Sequence, residues 1–251
     1  MTKANKIIKL ILLLSSMLFI ISVFQKGRLP DKKDILPQLY QVPVIAKTYE
    51  EPFEVERKGL TYSIKPLHSY RLYGLLVAYH NNVRFIDYYH RQWGDFLNIK
   101  DICVIWGDNL KDLDYKKVRF KTGSFTWEAH ASCDVWRNFK SHCLSYNHLL
   151  VGNEKVAVMV KKAKRGDQIY MQGYLAEYSH SGGEFSRQSS TSLYDKGLKS
   201  CETVYVTDFR ILKSEEDIWL KVYNVAKYSI IGCLICSVII WFKTPVNIYK
   251  A

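Results

Sequence analysis

The chain has 251 residues and a formal net charge of +12 at pH 7. Residues 1–30 hold five lysines and arginines, residues 222–251 hold three, and neither range contains an acidic residue. Eight of the twelve excess charges therefore flank the two ends, which excludes a strongly basic central domain and matches anionic lipid headgroups better than a nucleic-acid groove.

Residues 1–25 predict an N-terminal transmembrane anchor. Residues 10–24 carry no charge, and the apolar run becomes long enough to span a bilayer if Lys9 snorkels. A cleaved signal peptide is the alternative, because lysines precede the run. The exit at residues 22–26 lacks the small side chains that a signal peptidase needs, so we expect an uncleaved anchor.

Residues 26–58 predict an extended tether. Four prolines recur in this stretch at positions 30, 37, 43 and 52, among charged residues. Proline removes a backbone donor and interrupts both helices and paired strands, so we expect no long regular element here.

Residues 59–213 predict a mainly β (α+β) domain. Alternation and turn signals indicate strands at 72–79, 102–106, 118–127, 169–177 and 204–212, with a short helix at 83–93 and a helix from Asn153 to Ala163. Three strands, a helix and two strands are the order of a five-stranded oligonucleotide/oligosaccharide-binding (OB) barrel. Gly173, after the Gly166-Asp167 turn, is expected to relieve crowding at a bent strand.

Residues 214–243 predict a helix that leads into a C-terminal transmembrane segment, and residues 244–251 predict a short tail. The run from Tyr228 to Phe242 is apolar on all sides rather than on one stripe, which favours a membrane span over a buried core helix. Two spans make a hairpin that carries one extramembrane domain. The count of lysines and arginines, seven on the domain side and five on the side of the termini, slightly favours a cytoplasmic domain, whereas the signal-like start favours export.

Cysteine usage also favours export. Cys233 and Cys236 lie in the second apolar run, which leaves four cysteines in the domain. An exported domain could form a disulfide between Cys133 and Cys143.

The stretch from Ser69 to Lys213 resembles a family of uncharacterised bacterial membrane-anchored envelope proteins. The markers of this resemblance lie at residues 73–77, 101–107, 144–150, 166–169 and 204–209. The resemblance implies the OB-like fold and no known activity.

Two metal or catalytic sites can be considered from the residue types. His130, Cys133, His142 and Cys143 could supply zinc ligands, but adjacent His142 and Cys143 side chains diverge in most backbones. Cys143 and His148 could form a nucleophile–base pair, whereas a loop histidine bonding local backbone is the commoner arrangement. The chain has no Walker loop, no His-Glu-x-x-His and no Gly-x-Ser-x-Gly. We therefore expect no enzyme, no metal and no cofactor.

We expect a two-pass protein of a bacterial inner membrane, with a periplasmic domain that acts as an interaction or assembly module. Its partners would be the bilayer and an unidentified envelope protein. The expected contact surface comprises Lys161, Lys162, Lys164, Arg165, Asn147 and His148. The alternative is a cytoplasmic domain that holds single-stranded nucleic acid at the membrane through stacking aromatic residues and the same basic cluster.

Overall fold

The computed structural model describes residues 3–83, 87–123, 126–195, 201–214 and 218–243. The chain forms two units. One contains the two terminal helices, and the other runs from Leu29 to Glu215. The predicted tail at 244–251 lies outside the described residues.

The helices and strands are given in chain order. The helices are α1 (Lys3–Gln25), α2 (Tyr88–Gln92), α3 (Asp108–Lys111), α4 (Cys133–Trp136), α5 (Glu154–Lys162) and α6 (Ile218–Lys243). The strands are β1 (Val44–Lys47), β2 (Phe53–Arg57), β3 (Leu60–Asn81), β4 (Asn98–Ile105), β5 (Arg119–Gly123), β6 (Thr126–His130), β7 (Leu144–Leu150), β8 (Gln168–His180), β9 (Ser186–Arg187) and β10 (Cys201–Lys213). Short 3-10 helices occur at Lys32–Asp34, Pro37–Tyr40, Tyr115–Lys117 and Ser141–Cys143.

Helices α1 and α6 are long and apolar enough to cross a membrane. They pack on each other through a hydrogen bond of 2.8 Å from Ser15 Oγ to Ser229 Oγ and through stacked rings of Phe19 and Tyr223. The buried positions of this pair are small residues, as in helices that associate in lipid. They are Ser15, Ser22, Ala226 and Cys233.

The domain is built on an eight-stranded sheet in which five strands pair in an unbroken circuit. β3 pairs with β4, β4 with β7, β7 with β10, β10 with β8, and β8 again with β3. The β7–β10 pair is parallel and the others are antiparallel. β3 has 22 residues, and this length lets it pair with two strands. β1 and β2 extend the sheet beside β3, β9 pairs with β8, and β5 and β6 form a separate hairpin.

Strands β4 and β7 are buried along their whole length. One face, with Val104 and Leu149, belongs to the main hydrophobic core. The other face, with Cys103 and Tyr146, packs under a second cluster from the segment between β4 and β7, including Phe120. The chain thus covers both faces of these two strands by itself.

Helix α5 is fixed at both ends. The Asn153 side chain caps its N-terminus by accepting the backbone N–H of Lys155 at 2.8 Å. At the other end, the buried Lys100 of β4 donates from Nζ to the carbonyls of Val160 (3.0 Å), Lys161 (3.4 Å) and Ala163. A cation at this position also suits the negative end of the helix dipole.

The predicted tether at 26–58 differs from the structure. From Leu29 onward this stretch packs onto the domain, with Leu39 fully buried and with β1 and β2 paired to β3. The Gln168 side chain holds the segment by accepting from Leu36 N at 2.7 Å and donating to Asp34 O at 2.8 Å. Pro43 and Pro52 directly precede β1 and β2, where a missing N–H disrupts no strand.

The predicted third strand at 118–127 is also different. Residues 119–123 and 126–127 belong to β5 and β6, which pair with each other, while residues 124 and 125 lie outside the described part. The third member of the circuit is β7. The predicted helix at 83–93 is shorter, because α2 begins after Asp87; residues 84–86 lie outside the described part. The role expected for Gly173 is confirmed, since a Cβ there would lie 2.0 Å from Tyr205 O across the β8–β10 pair.

Candidate functional site

A cavity of about 600 Å³ lies where two connections of the sheet meet. One connection joins β3 to β4 and contains α2, and the other joins β8 to β10 and contains β9. Its wall combines aromatic rings with two guanidinium groups and one carboxylate. The residues that define this loop pocket are Arg91, Trp93, Phe96, His180, Glu184, Phe185 and Arg187.

Hydrogen bonds from β3 and from the end of β8 hold the first connection in place. The Tyr62 hydroxyl on β3 donates to Gly94 O and accepts from Phe96 N at 3.0 Å. His180 at the end of β8 donates from Nε2 to Trp93 O at 2.7 Å. Gly94 adopts a left-handed φ of 66° in this turn, which glycine tolerates without strain.

The His180 ring is fixed in one orientation. Its Nδ1 accepts from Gly182 N at 3.0 Å, so the carbonyl and the amide together select the tautomer protonated at Nε2. The ring stacks on Phe185 at 4.9 Å between centroids and meets Tyr62 edge-on at 5.5 Å. The pocket wall is therefore preformed on this side.

A buried chain of carboxylates and histidines lies behind the first connection. Asp87 caps α2 by accepting from His90 N at 3.2 Å. Its carboxylate also binds His90 Nδ1 at 2.9 Å and His80 Nε2 at 2.8 Å. Burial tends to raise the pKa of Asp87, but these two imidazoles lower it. Burial lowers the pKa of His90, despite the carboxylates nearby.

Asp101 is the centre of this network. Its Oδ1 accepts from Asn82 (3.0 Å), Asn98 (2.9 Å) and His148 Nδ1 (2.8 Å), and its Oδ2 accepts from the Tyr146 hydroxyl at 3.2 Å. Burial would raise the pKa of this carboxyl, but the His148 charge and hydrogen bond outweigh it and hold the pKa well below the usual range. Asp101 is therefore an anion satisfied by four donors.

Asp95 connects the network to the pocket wall. Its Oδ2 accepts from the Tyr178 hydroxyl at 2.9 Å and lies 3.9 Å from His90 Nε2. Burial raises the pKa of Asp95 to about 7, against the opposing charge of Arg187. Arg187, whose charge opposes the rise in the pKa of Asp95, also lines the loop pocket.

The structure separates the residues of the predicted contact surface. Asn147 and His148 are buried in β7, so the prediction is wrong for these two side chains. Lys161 and Lys162 are exposed on α5, while Lys164 and Arg165 are half-buried after it. None of these residues lines the loop pocket.

The structure also keeps apart the cysteines and histidines that were considered as a disulfide, a zinc site or a catalytic pair. Cys133 is exposed, Cys143 is buried, and the two form no disulfide. His130 and Cys133 line a different cavity of about 410 Å³, so they do not join His142 and Cys143 in one zinc site. Cys143 ends the 3-10 helix that precedes β7, and His148 is the fifth residue of β7. The strand from residue 144 to His148 alone spans ~13 Å at about 3.3 Å per residue, which disfavours a direct nucleophile–base pair.

The sequence analysis did not find the loop pocket or the Asp101 network. A usable signal for the network is the carboxylate of Asp101 directly before the apolar run at residues 102–106. For the pocket, the signal is an aromatic residue within two positions of a glycine in both connections, at Trp93-Gly94 and at Gly183-Glu184-Phe185.

Comparison with protein-family models, with curated proteins and with solved structures found no match for this chain.

Proposed function

We propose that the chain is a two-pass, membrane-anchored and non-enzymatic binding module of the bacterial cell envelope. Its domain is an OB-like barrel that faces the periplasm and binds a short segment of a partner protein in the loop pocket. The observation that carries this proposal is the preformed pocket at the meeting point of two connections. We also propose that the chain belongs to the family of uncharacterised envelope proteins that it resembles in sequence.

The pairing circuit supports the OB-like fold. In an OB barrel the third and fifth strands are parallel and a helix lies between the third and fourth. The circuit β3–β4–β7–β10–β8 has its parallel pair at β7–β10 and has α5 between β7 and β8. In this correspondence the loop pocket lies between the first-to-second and fourth-to-fifth connections, the two loops with which OB folds hold their ligands.

The pocket lining supports recognition of a peptide. A volume of about 600 Å³ is in the range of ligand pockets, which is enough for one or two side chains. Trp93, Phe96 and Phe185 can pack an apolar side chain, and Arg91 can pair with a carboxylate. Aromatic residues and arginine dominate the binding energy of most protein interfaces.

The covered face of β4 and β7 disfavours the nucleic-acid alternative. A single strand needs an extended basic groove with stacking aromatic rings. In this domain the corresponding strand face is buried under the chain's own segment between β4 and β7. The exposed Lys161 and Lys162 lie on α5 and do not line the pocket.

Burial of the candidate acid–base groups supports a non-enzymatic role. The Asp101–His148 pair is closed to solvent, with side chains exposed by 0% and 4%. General acid–base catalysis requires contact between such a group and the substrate. Burial also raises the pKa of the Cys143 thiol, which makes it a weak nucleophile.

Site-directed photocrosslinking in intact cells tests the proposal. A photoreactive amino acid replaces the exposed Gln92 in the pocket wall, and the same amino acid replaces Lys161 on α5 as the reference position. We expect a discrete protein adduct, identified by mass spectrometry, at position 92. The added substitution Trp93→Ala should weaken this adduct several-fold, because it removes the largest ring of the pocket.

The chain offers a matched control for the tryptophan. Trp136 is exposed by 43% and Trp93 by 44%, and Trp136 does not line the loop pocket. Trp136→Ala should leave the adduct unchanged. An adduct that survives Trp93→Ala would contradict the proposal, and salt-dependent retention of the full chain on single-stranded DNA would favour the alternative.

A further inference from the structure

Asp108, His142 and Cys143 bring three metal-binding atoms together at some distance in sequence. One carboxylate oxygen, one imidazole nitrogen and Sγ lie within 4.8 Å of one another. Asp108 begins α3, whereas His142 and Cys143 end the 3-10 helix before β7. In the part of the chain that the structure describes, this is the one group of three such donors.

The buried side chain of Asn109 fastens these two segments to each other. Its Nδ2 donates to Lys140 O at 2.8 Å and to Cys143 O at 3.1 Å, and its Oδ1 accepts from Lys140 N at 2.9 Å. Trp106 N donates to the same Cys143 carbonyl at 3.2 Å. The backbone that carries His142 and Cys143 is therefore fixed against α3.

The sulfur and the imidazole are oriented as well. Cys143 Sγ is buried next to the start of α3, where the backbone amides of Asp108 and Asn109 favour a thiolate although burial opposes it. The His142 ring stacks on Tyr194, with 5.4 Å between centroids and 26° between planes. Cys143 is buried, while Asp108 and His142 are partly exposed, so solvent reaches the group from one side.

We propose that Asp108, His142 and Cys143 bind one Zn²⁺ ion, with water in the fourth position. A thiolate, an imidazole and a carboxylate are donors that zinc prefers, and three protein ligands plus water complete a tetrahedron. Ligand atoms at ~2.0–2.3 Å from the ion lie closer together than 4.8 Å, so a small closure of the three side chains completes the site. The thiol loses its proton to solvent as the S–Zn bond forms, and no redox step is involved.

Cobalt titration of the purified, metal-free full chain in detergent tests this proposal. We expect one Co²⁺ per chain and a thiolate-to-cobalt charge-transfer band, which added Zn²⁺ removes by displacing Co²⁺. Cys143→Ser should abolish the band. His142→Gln should weaken binding at least about tenfold, since even residues behind the ligands contribute that much.

Two exposed residues outside the group provide matched controls. Cys133→Ser and His130→Gln should leave the stoichiometry and the band unchanged. A band that persists in Cys143→Ser, or binding with full affinity in His142→Gln, overturns the proposal, as does the absence of stoichiometric Co²⁺ binding. Because His142 is partly exposed, His142→Gln should keep the melting profile of the wild type. Its Co²⁺ affinity therefore tests the proposal even if Cys143→Ser fails to fold.

Discussion

The buried carboxyl groups of Asp101 and Glu202 differ in charge because they differ in their hydrogen-bond donors. Asp101 has four hydrogen-bond donors and stays ionised. Glu202 on β10 is 3% exposed, and among the described residues its Oε2 has no hydrogen-bond partner. Burial therefore raises the pKa of Glu202 to about 8. The fold keeps one buried acid as an anion and the other as a neutral group.

Glu202→Gln should reduce the pH dependence of stability. Between about pH 5 and pH 7 the folded chain keeps the Glu202 proton that the unfolded chain has released, since an ordinary glutamate has a pKa of about 4.3. This group therefore lowers the free energy of unfolding as pH rises, by about 1.4 kcal/mol per pH unit, until the folded pKa is reached. Urea denaturation across this range should show the variant gaining stability relative to the wild type at that rate.

The exposed Glu184 provides the control for this measurement. Glu184→Gln replaces an exposed side chain and should change the free energy of unfolding by no more than ~0.5 kcal/mol. A constant difference between Glu202→Gln and the wild type would contradict the assignment of a proton to this carboxyl. The Asp101 contribution has the opposite sign, because a depressed folded pKa gives stability that is present above about pH 4 and lost as the pH falls.

Regular elements with strong local signals could be predicted from the sequence. The Asn153 cap, the helix that follows it and the strands around Gly173 and Val206 have clear periodicity and turns, and the structure contains them as α5, β8 and β10. β7 could not be recognised as a strand of the circuit, because its buried faces include the polar Ser145, Asn147 and His148 and show no alternation. Its partners are strands far away in sequence.

The candidate sites depend even more strongly on contacts between residues that are far apart in sequence. The loop pocket joins two connections that are far apart in sequence. Asp108 lies near His142 where the Asn109 side chain fastens their two segments together. Residue spacing carries no information on these contacts. The residue types alone could indicate His142 and Cys143 as possible metal ligands, but they could not indicate that Asp108 lies beside them.

Gly173→Ala should destabilise the pairing of β8 with β10. A Cβ at this position would lie 2.0 Å from the backbone oxygen of Tyr205, and backbone cannot move aside as a flexible side chain can. Overpacking of this kind costs about 1–3 kcal/mol or more. Thermal unfolding of the full chain, followed by near-ultraviolet circular dichroism, should show a lower midpoint. Gly232→Ala, where a Cβ meets nothing within 4 Å, should leave it unchanged.

At the scale of the whole molecule, two apolar helices accompany a domain that begins almost directly after the first of them. The stretch expected to be a tether is part of the domain from Leu29 onward. The buried positions between α1 and α6 are small residues, so the two helices support each other as a hairpin.

Cys133 can report the side of the membrane that the domain faces. It is exposed, whereas Cys103 and Cys143 are buried, Cys201 is partly buried, and Cys233 and Cys236 lie in the apolar helix α6. In cells with a permeabilised outer membrane, a thiol reagent that cannot cross the inner membrane should label the wild type, and Cys133→Ser should lose most of the label. Labelling that requires rupture of the inner membrane would place the domain in the cytoplasm.

The side chain of Lys100 couples local unfolding of α5 to that of β4. It donates to three carbonyls at the end of α5 from inside the sheet. If the last turn of the helix frays, this buried amino group loses three hydrogen-bond acceptors, and the ring of Tyr79, 4.3 Å from Nζ, does not replace them. Each lost hydrogen bond to a charged group costs about 1.5–3 kcal/mol. Partial loosening of α5 is therefore suppressed, and backbone amides of the helix and of β4 exchange with solvent through one shared cooperative event.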